Sequence, residues 1–556
     1  MVVHGRLNHL IRIATVVTAL WHGAGAAQTT GSADVSTCVP VPATTHLDVG
    51  GARANLLRLA QLTGDAPPAP LLIRRTADPG AVCAGASGAG ALLLPAGQQG
   101  GRIQGSLLPV SVRGTFNSAF PEDRNNGAAW AGRGLTTVLT GGVAFRVGPL
   151  EGAVTPLAAW QQNDAFEVAV VDAPGDSRWA DRGHTGSIDL PQRFGDEAYT
   201  VLDPGQSYLR VRSHGAMAGV STENLWLGPA VRTPLLMSST AAGIPHVFAG
   251  TSRPIDVGIG RLEAQAIWGR LEESDYFDAD PENDNQLLAG LFVDFEPAIL
   301  PGLYLGAARL YLTNLQGTEL GVLDYLRVPY TDVRGNPVGD NQLLAIFGRW
   351  VHPEAGFEAW AEWGREDHWG AWLDLLKEPD HSQAYVLGVQ KVMGTLESGW
   401  RLQGELIHLE SALPLRGGRG VISFYTHGGD QGLTQRGQLI GAWIGPGSDA
   451  QIIAADLLRP WGMVGGYVER VRYDADAYYS MFSTFYGHNG HDVSIGLGMR
   501  GLVVRGPFEA MAELGWKRRH NRDFIGLEGG AGNFGSEDNL ALDVGLTWRP
   551  GLTFAR

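Results

Sequence analysis

The feature that most constrains this chain is a two-residue alternation that recurs from Arg102 onward. Within Arg261–Trp268, the residues Leu262, Ala264, Ala266 and Trp268 alternate with Arg261, Glu263, Gln265 and Ile267. The same rhythm runs through Phe357–Gly364, Trp400–Ile407 and Phe508–Lys517. Successive side chains on a strand point to opposite sides, so each of these segments carries one apolar and one polar face. In a soluble sandwich the apolar face points inward. In a membrane barrel it points to lipid, and the polar face lines the lumen.

Two further patterns favour the barrel. Aromatic residues sit at the ends of the apolar stripes (Trp268, Phe357, Trp363, Trp400, Phe508, Trp516), where interfacial girdles need them. Tight connections at Leu300–Gly302, Pro353–Gly356, Leu396–Gly399 and Arg505–Pro507 alternate with long ones at Glu272–Asn285, Gln316–Asn341, Glu366–Ser382 and Arg518–Asn539. Barrels show this alternation of periplasmic turns and outer loops. About sixteen to nineteen candidate strands fit the length, and bacterial barrels have even numbers. The region Gly445–Tyr473 interrupts the rhythm.

Composition agrees: 18% charged residues, 78 glycines, 16 tryptophans and a net charge of −15 in 556 residues. That charge argues against nucleic acid, which needs clustered Lys and Arg. Arg6 and Arg12 precede an apolar run, Ile13–Trp21, and Ala24-Gly25-Ala26 follows, so residues 1–27 read as a cleavable export signal. Outside the cytoplasm, Cys38 and Cys83 are expected to form one disulfide. Leu56, Leu59, Ala60 and Thr63 share a face at helical spacing, predicting a helix near 47–62 that Pro67, Pro68 and Pro70 end. Residues 28–100, including a Gly/Ala-rich run over 84–101, read as a small helical periplasmic cap with its linker. Residues 101–556 read as the barrel.

One stretch does not alternate. Gly219–Arg253 carries Gly228-Pro229, Pro234 and Pro245, which a continuous strand does not tolerate. It is too apolar for a solvated loop, so it is expected to fold into the lumen. Arg193, Arg210, Glu223, Asn224, Trp226, Arg232, Arg253 and Arg436 combine aromatic, amide and guanidinium groups suited to sugars, the arginines pairing with carboxylates if the polymer is anionic. The same residues could instead form an ion-pair lattice that fills the lumen. No His-Glu-x-x-His, Gly-x-Ser-x-Gly or zinc-spaced cysteine pattern is present. Gly530–Gly535 matches a dinucleotide fingerprint in letters only, and Asp278, Asp280, Glu282 and Asp284 lack calcium-loop spacing. The expectation is a non-catalytic chain with no cofactor and no metal. A solute channel remains an alternative, as does a hydrolase pairing Ser213 or Ser221 with His184, His214 or His246.

Several runs resemble the Wzi family of capsule-assembly outer-membrane proteins: Ile188–Gly195 (IDLPQRFG), Leu202–Arg210, Gly219–Pro229 (GVSTENLWLGP), Met237-Ser238, Gly243–His246, and Gly432–Gly437 through Trp443–Ser448. The resemblance spans most of residues 45–550. It implies an all-β transmembrane fold: a large antiparallel outer-membrane β-barrel of about eighteen strands, with a helical periplasmic element and a lumen closed by folded-in loops. It also implies a lectin-like role in anchoring surface polysaccharide. Expected partners are that polysaccharide, outer-membrane lipid and capsule export machinery, with the chain a monomer. The sequence departs from the family pattern in ending Phe554-Ala555-Arg556, without a terminal aromatic residue, and in its cysteine pair and linker.

Overall fold

The computed structural model describes residues 48–75, 103–171, 178–278, 284–315, 341–366, 382–411, 423–428, 431–483, 489–530 and 534–552, positions 376 and 380, and the backbone of 38–40, 81–83 and 553–555. The architecture is all-β and antiparallel. From Gly260–Glu272 onward each long strand pairs with the next, through Asn285–Pro297, Leu303–Asn314, Asn341–His352, Phe357–Glu366, Gln383–Gly394 and Gly399–His408. The ladder continues through Asp449–Arg459, Gly462–Tyr473, Asp492–Arg505, Phe508–His520 and Ser536–Trp548. Ser536–Trp548 then pairs with Val110–Asn117, the first long strand, with Trp548 opposite Val110. The stretch that interrupted the sequence rhythm is an ordinary hairpin, with Arg459 opposite Gly462.

The N-terminal strands are each interrupted midway. Ile103–Leu107 is followed by Val110–Asn117, Gly134–Thr140 by Val143–Val147, Leu150–Val154 by Leu157–Gln161, and Tyr199–Asp203 by Tyr208–Ser213. At one such break Gly205 has φ +61° and bridges Thr155, and a Cβ there would collide with the Thr155 carbonyl. Only glycine fits that approach.

The apolar faces of these strands point outward. Val112, Leu139, Ile346, Leu387, Leu402, Ile453, Ile495, Leu497, Leu514, Leu542 and Leu546 are exposed, with Trp350, Trp400 and Trp548 among them. A water-soluble domain hides such residues, whereas a wall facing lipid presents them. No helix among the described residues is long and apolar enough to cross a membrane.

Polar and charged side chains face the lumen, and two insertions fill much of it. The helix expected near 47–62 runs from Ala52 to Thr63 and ends on Gly64 in the left-handed conformation, a common helix stop. Leu56, Leu59, Ala60 and Leu62 are buried in the main apolar cluster. Arg53 pairs with Glu509 at 2.6 Å, and Glu358 receives both Arg58 and Arg349, all three of these last nearly fully buried. The helix is therefore a plug seated within the strands, against the short turn at Pro353–Ala355. A buried carboxylate shared by two guanidiniums offsets a desolvation cost that either pair alone would leave larger. Strands 38–40 and 81–83 pair with Cys38 opposite Cys83. The predicted signal, 1–27, and the linker after Cys83 lie outside the described residues.

The lumen as a candidate functional site

The second insertion is the stretch between two strands that pair directly, Ala216–Ser221 and His246–Thr251. Residues 222–245 leave the wall and turn inward, whereas the ends of the stretch singled out in the sequence lie in the strands Ala216–Ser221 and His246–Thr251. What holds them there is a pair of wall carboxylates. Glu362 accepts the backbone N–H of Ala230 at 2.7 Å and of Leu235 at 2.9 Å. Glu405 accepts from Val231, Arg232 and Thr233 at 2.8, 3.1 and 3.0 Å. Five backbone N–H groups thus converge on two buried side chains, which fixes the segment's path across the lumen. Gly228, at φ +93°, brings the backbone so near Glu362 that a Cβ would overlap its carboxylate. Trp226–Leu227 also forms a short ladder with Ile73–Arg74, just after the plug helix. The two insertions are thus one hydrogen-bonded body. A third infolded segment joins it where Tyr425 donates its hydroxyl to the Leu235 carbonyl at 2.5 Å and Ser238 donates to Gly441 at 2.8 Å.

Most of the residues read as sugar contacts are spent on this packing. Trp226 is 0% exposed: Arg74 lies 4.7 Å from its ring, Gly50 presses the ring so closely that a Cβ would clash, and its indole N–H donates to Ala230 O at 3.1 Å. It has no free stacking face, which corrects the sequence reading. Asn224 ties Gln206 to the Ser238 and Ala241 carbonyls. Glu223 is buried and accepts from Ser221. Arg210 pairs with Glu151 at 3.0 Å inside the wall. Arg193 donates to Asn163 and to Asp196, holding the segment before Tyr199. Arg253 is exposed, but in the tight turn at the short-turn end, away from the others. Arg436 is 41% exposed at the long-loop end and pairs with Glu272 at 2.6 Å and Asp203 at 3.2 Å. Of the eight, Arg253 is exposed and Arg232 and Arg436 are half-buried, so these three keep guanidiniums that a ligand can reach, and the other five are buried.

Arg232 borders a chamber of about 440 Å³ on the side of the lumen that the insertions leave open. The chamber extends from Asp48, Glu509 and Thr547, near the short turns, to Glu122, Arg124 and Lys517. At that inner end Arg124 and Lys517 share Glu122 and Glu469, and Arg124 lies 4.6 Å from the Trp443 ring. These lining residues were missed from sequence. The available signal was the inward register of Gly462–Tyr473 and Phe508–His520, where Tyr467, Glu469, Glu513 and Lys517 take the positions that face away from lipid.

At the long-loop end a separate polar cluster orders the surface. His184 Nε2 lies 3.0 Å from Asp474 Oδ1, and Asp181 accepts the His184 backbone N–H at 2.8 Å. Burial alone would lower the imidazole pKa, but Asp474, with Asp181 behind it, raises it to about 9. Burial pushes the Asp181 carboxyl up to about 6, with Asp474 adding to the rise. Ser213 Oγ and His214 Nδ1, 2.7 Å apart, are chain neighbours in an exposed turn at the opposite end.

No family profile and no curated protein sequence matches this chain. Among solved structures it is similar to Wzi, an outer membrane protein involved in group 1 capsule assembly in Escherichia coli and described as a carbohydrate-binding β-barrel. Identity is 12% and the TM-score 0.59, over 92% of this chain and 100% of that one. Weaker likenesses are to OccAB2 of Acinetobacter baumannii (12% identity, TM-score 0.38, 80% and 98% covered) and OprD of Pseudomonas aeruginosa (11%, 0.37, 82% and 94%). At such identities a structural likeness speaks for fold alone. The chain is built like an outer-membrane β-barrel.

Proposed function

We propose that this chain is an exported outer-membrane protein of the Wzi kind that holds surface polysaccharide, without catalysis. Taking each interrupted strand as one, it is a closed barrel of about eighteen strands. The pairing of Ser536–Trp548 with Val110–Asn117 supports closure. The observation that carries the functional reading is the filled lumen: the plug helix and residues 222–245 are clamped by Glu358, Glu362 and Glu405 into one body across the barrel. A wall built to grip its own insertions suits a platform better than a passage, and the carbohydrate-binding barrel of similar fold points the same way. Polymer contacts then fall to the long-loop end, with Arg436 among them, because the infolded candidates are committed to packing.

A solute channel is the second reading, favoured by the chamber of about 440 Å³ beside the insertions. Two measurements separate them. Cells lacking the chain should shed polymer into the medium while total polymer stays constant. Unchanged retention, or a fall in total polymer, would sink the platform reading. In planar bilayers the purified chain should show no steady open conductance, and a stable conducting state would establish the channel instead.

A further inference from the structure

Most charges around the chamber are paired, and two that are not, Arg232 and Glu513, mark a site. Arg113 pairs with Asp543, Arg401 and Arg500 with Asp456, and Arg124 and Lys517 with Glu122 and Glu469. Arg232 forms no ion pair among the described residues. Its Nε donates to Gln403 Oε1 at 3.3 Å, its guanidinium lies 5.2 Å from the Tyr467 ring, and its Nη2 is buried with no hydrogen-bond partner. A buried cationic donor left open costs free energy unless something binds to it. On the other side of Tyr467, the phenol donates to Glu513 Oε1 at 2.6 Å, and Glu513 pairs with no cation among the described residues. Asn126 Oδ1, also on the chamber wall, is buried without a donor.

The wall therefore asks for three things at once: an anion for Arg232, and donors for Glu513 and for Asn126. A plain carboxylate or phosphate supplies only acceptors. An amino-acid zwitterion supplies one compact donor. A sugar acid supplies a carboxylate and several hydroxyls spread around a ring, and hydroxyls both donate and accept. The volume lies within the range of small-ligand pockets, about 300–1,000 Å³.

We propose that this chamber is a binding site for a short acidic saccharide, entered from the short-turn end, with the sugar carboxylate on Arg232 and hydroxyls on Glu513 and Asn126. It is distinct from polymer contact at the long-loop end and stands independently of it. One barrel would then read glycan on both sides: polymer outside, and a short uronate-bearing piece in the lumen.

The test uses the purified full-length chain in detergent, with heat release from binding measured for digalacturonate, cellobiose and glutamate. Digalacturonate should bind, with cellobiose and glutamate weaker by about tenfold or more, the worth of one charge-assisted hydrogen bond. Arg232→Gln should weaken digalacturonate by a similar factor and leave the residual neutral-sugar signal unchanged. Gly515→Phe should abolish binding by filling the chamber, since a Cβ at Gly515 points into space 3.6 Å from the Tyr467 hydroxyl. Heat-modifiable migration on gels reports whether each variant is a folded barrel. If Gly515→Phe does not fold, Arg232→Gln alone decides. No heat at millimolar digalacturonate, equal binding of glutamate, or an Arg232→Gln variant that binds like the parent would each overturn the proposal. None of these outcomes bears on polymer retention by cells, which is scored separately.

Discussion

The two halves of the lumen use the same kinds of residue to opposite ends. On the filled side, Glu362 and Glu405 accept five backbone N–H groups from residues 230–235, and Glu358 sits between Arg58 and Arg349. On the open side, Glu513 and Arg232 flank Tyr467 and face the chamber. Both sets project from alternate positions on wall strands or on the segment those strands hold. A carboxylate covered by the insertion becomes a clamp, and one left uncovered becomes a potential ligand contact. Residue type does not decide which.

Truncating Trp226 should break the difference most severely. Trp226→Ala removes a fully buried ring held between Arg74 and Gly50, at an expected cost of about 3–5 kcal/mol. A lower denaturant midpoint, with residues 222–245 newly open to protease, would register it. A variant as stable as the parent would mean that the ring is not part of the filled side's core.

The His184 cluster should respond to pH and to mutation on a smaller scale. Its folded pKa is raised to about 9, so its contact with Asp474 stabilises fully below the ordinary imidazole value near 6.5 and is lost as pH rises through about 9. Asp181, raised to about 6, shifts in the same sense and weakens the fold as it ionises. His184→Phe should cost about 1.5–3 kcal/mol at neutral pH and little above pH 10. Amide exchange in Ala475–Met481, the helix capped by Asp474, would follow it. An equal cost at both pH values would show that packing, not charge, carries the contact.

Glu513→Gln should be felt least among lumen variants, at about 1 kcal/mol or less, because the hydrogen bond to Tyr467 survives in weaker form. A cost matching that of Trp226→Ala would erase the distinction between the two sides. Cys38→Ser should leave the barrel's stability unchanged while making Cys83 reactive to alkylating reagents without reduction. Parent protein that alkylates at both thiols would rule out the disulfide.

The wall was legible in sequence because a strand with one apolar face repeats every two residues, as Leu262, Ala264 and Ala266 or Ala510, Ala512 and Leu514 do, and the aromatic stripe ends and short-long connections then separated a barrel from a sandwich. The infolded stretch was legible because prolines and Gly228-Pro229 exclude a strand. What its side chains do was not legible. Ala230 meets Glu362, and Val231 meets Glu405, across more than a hundred residues of chain, and no local pattern records such a meeting. Trp226, Asn224 and Glu223 have the composition of a sugar site because a polar lumen packs itself with the same aromatic, amide and carboxylate groups that sugars attract. Arg253 was misplaced for a simpler reason: its distance along the chain from His246 carries it down a strand to the other end of the barrel.

The short ladder between Trp226–Leu227 and Ile73–Arg74 also bears on how the molecule is made. Part of the interior is contributed by chain that precedes the first wall strand. The Gly228 N–H reaches Leu72 O at 2.8 Å, and Glu358 reaches Arg58, only if that leading segment has arrived. A polypeptide starting at residue 103 would keep every wall strand yet inherit clamps with part of their cargo missing. The leading segment therefore behaves like a subunit that happens to be covalently attached, synthesised before the wall strands that come to enclose it.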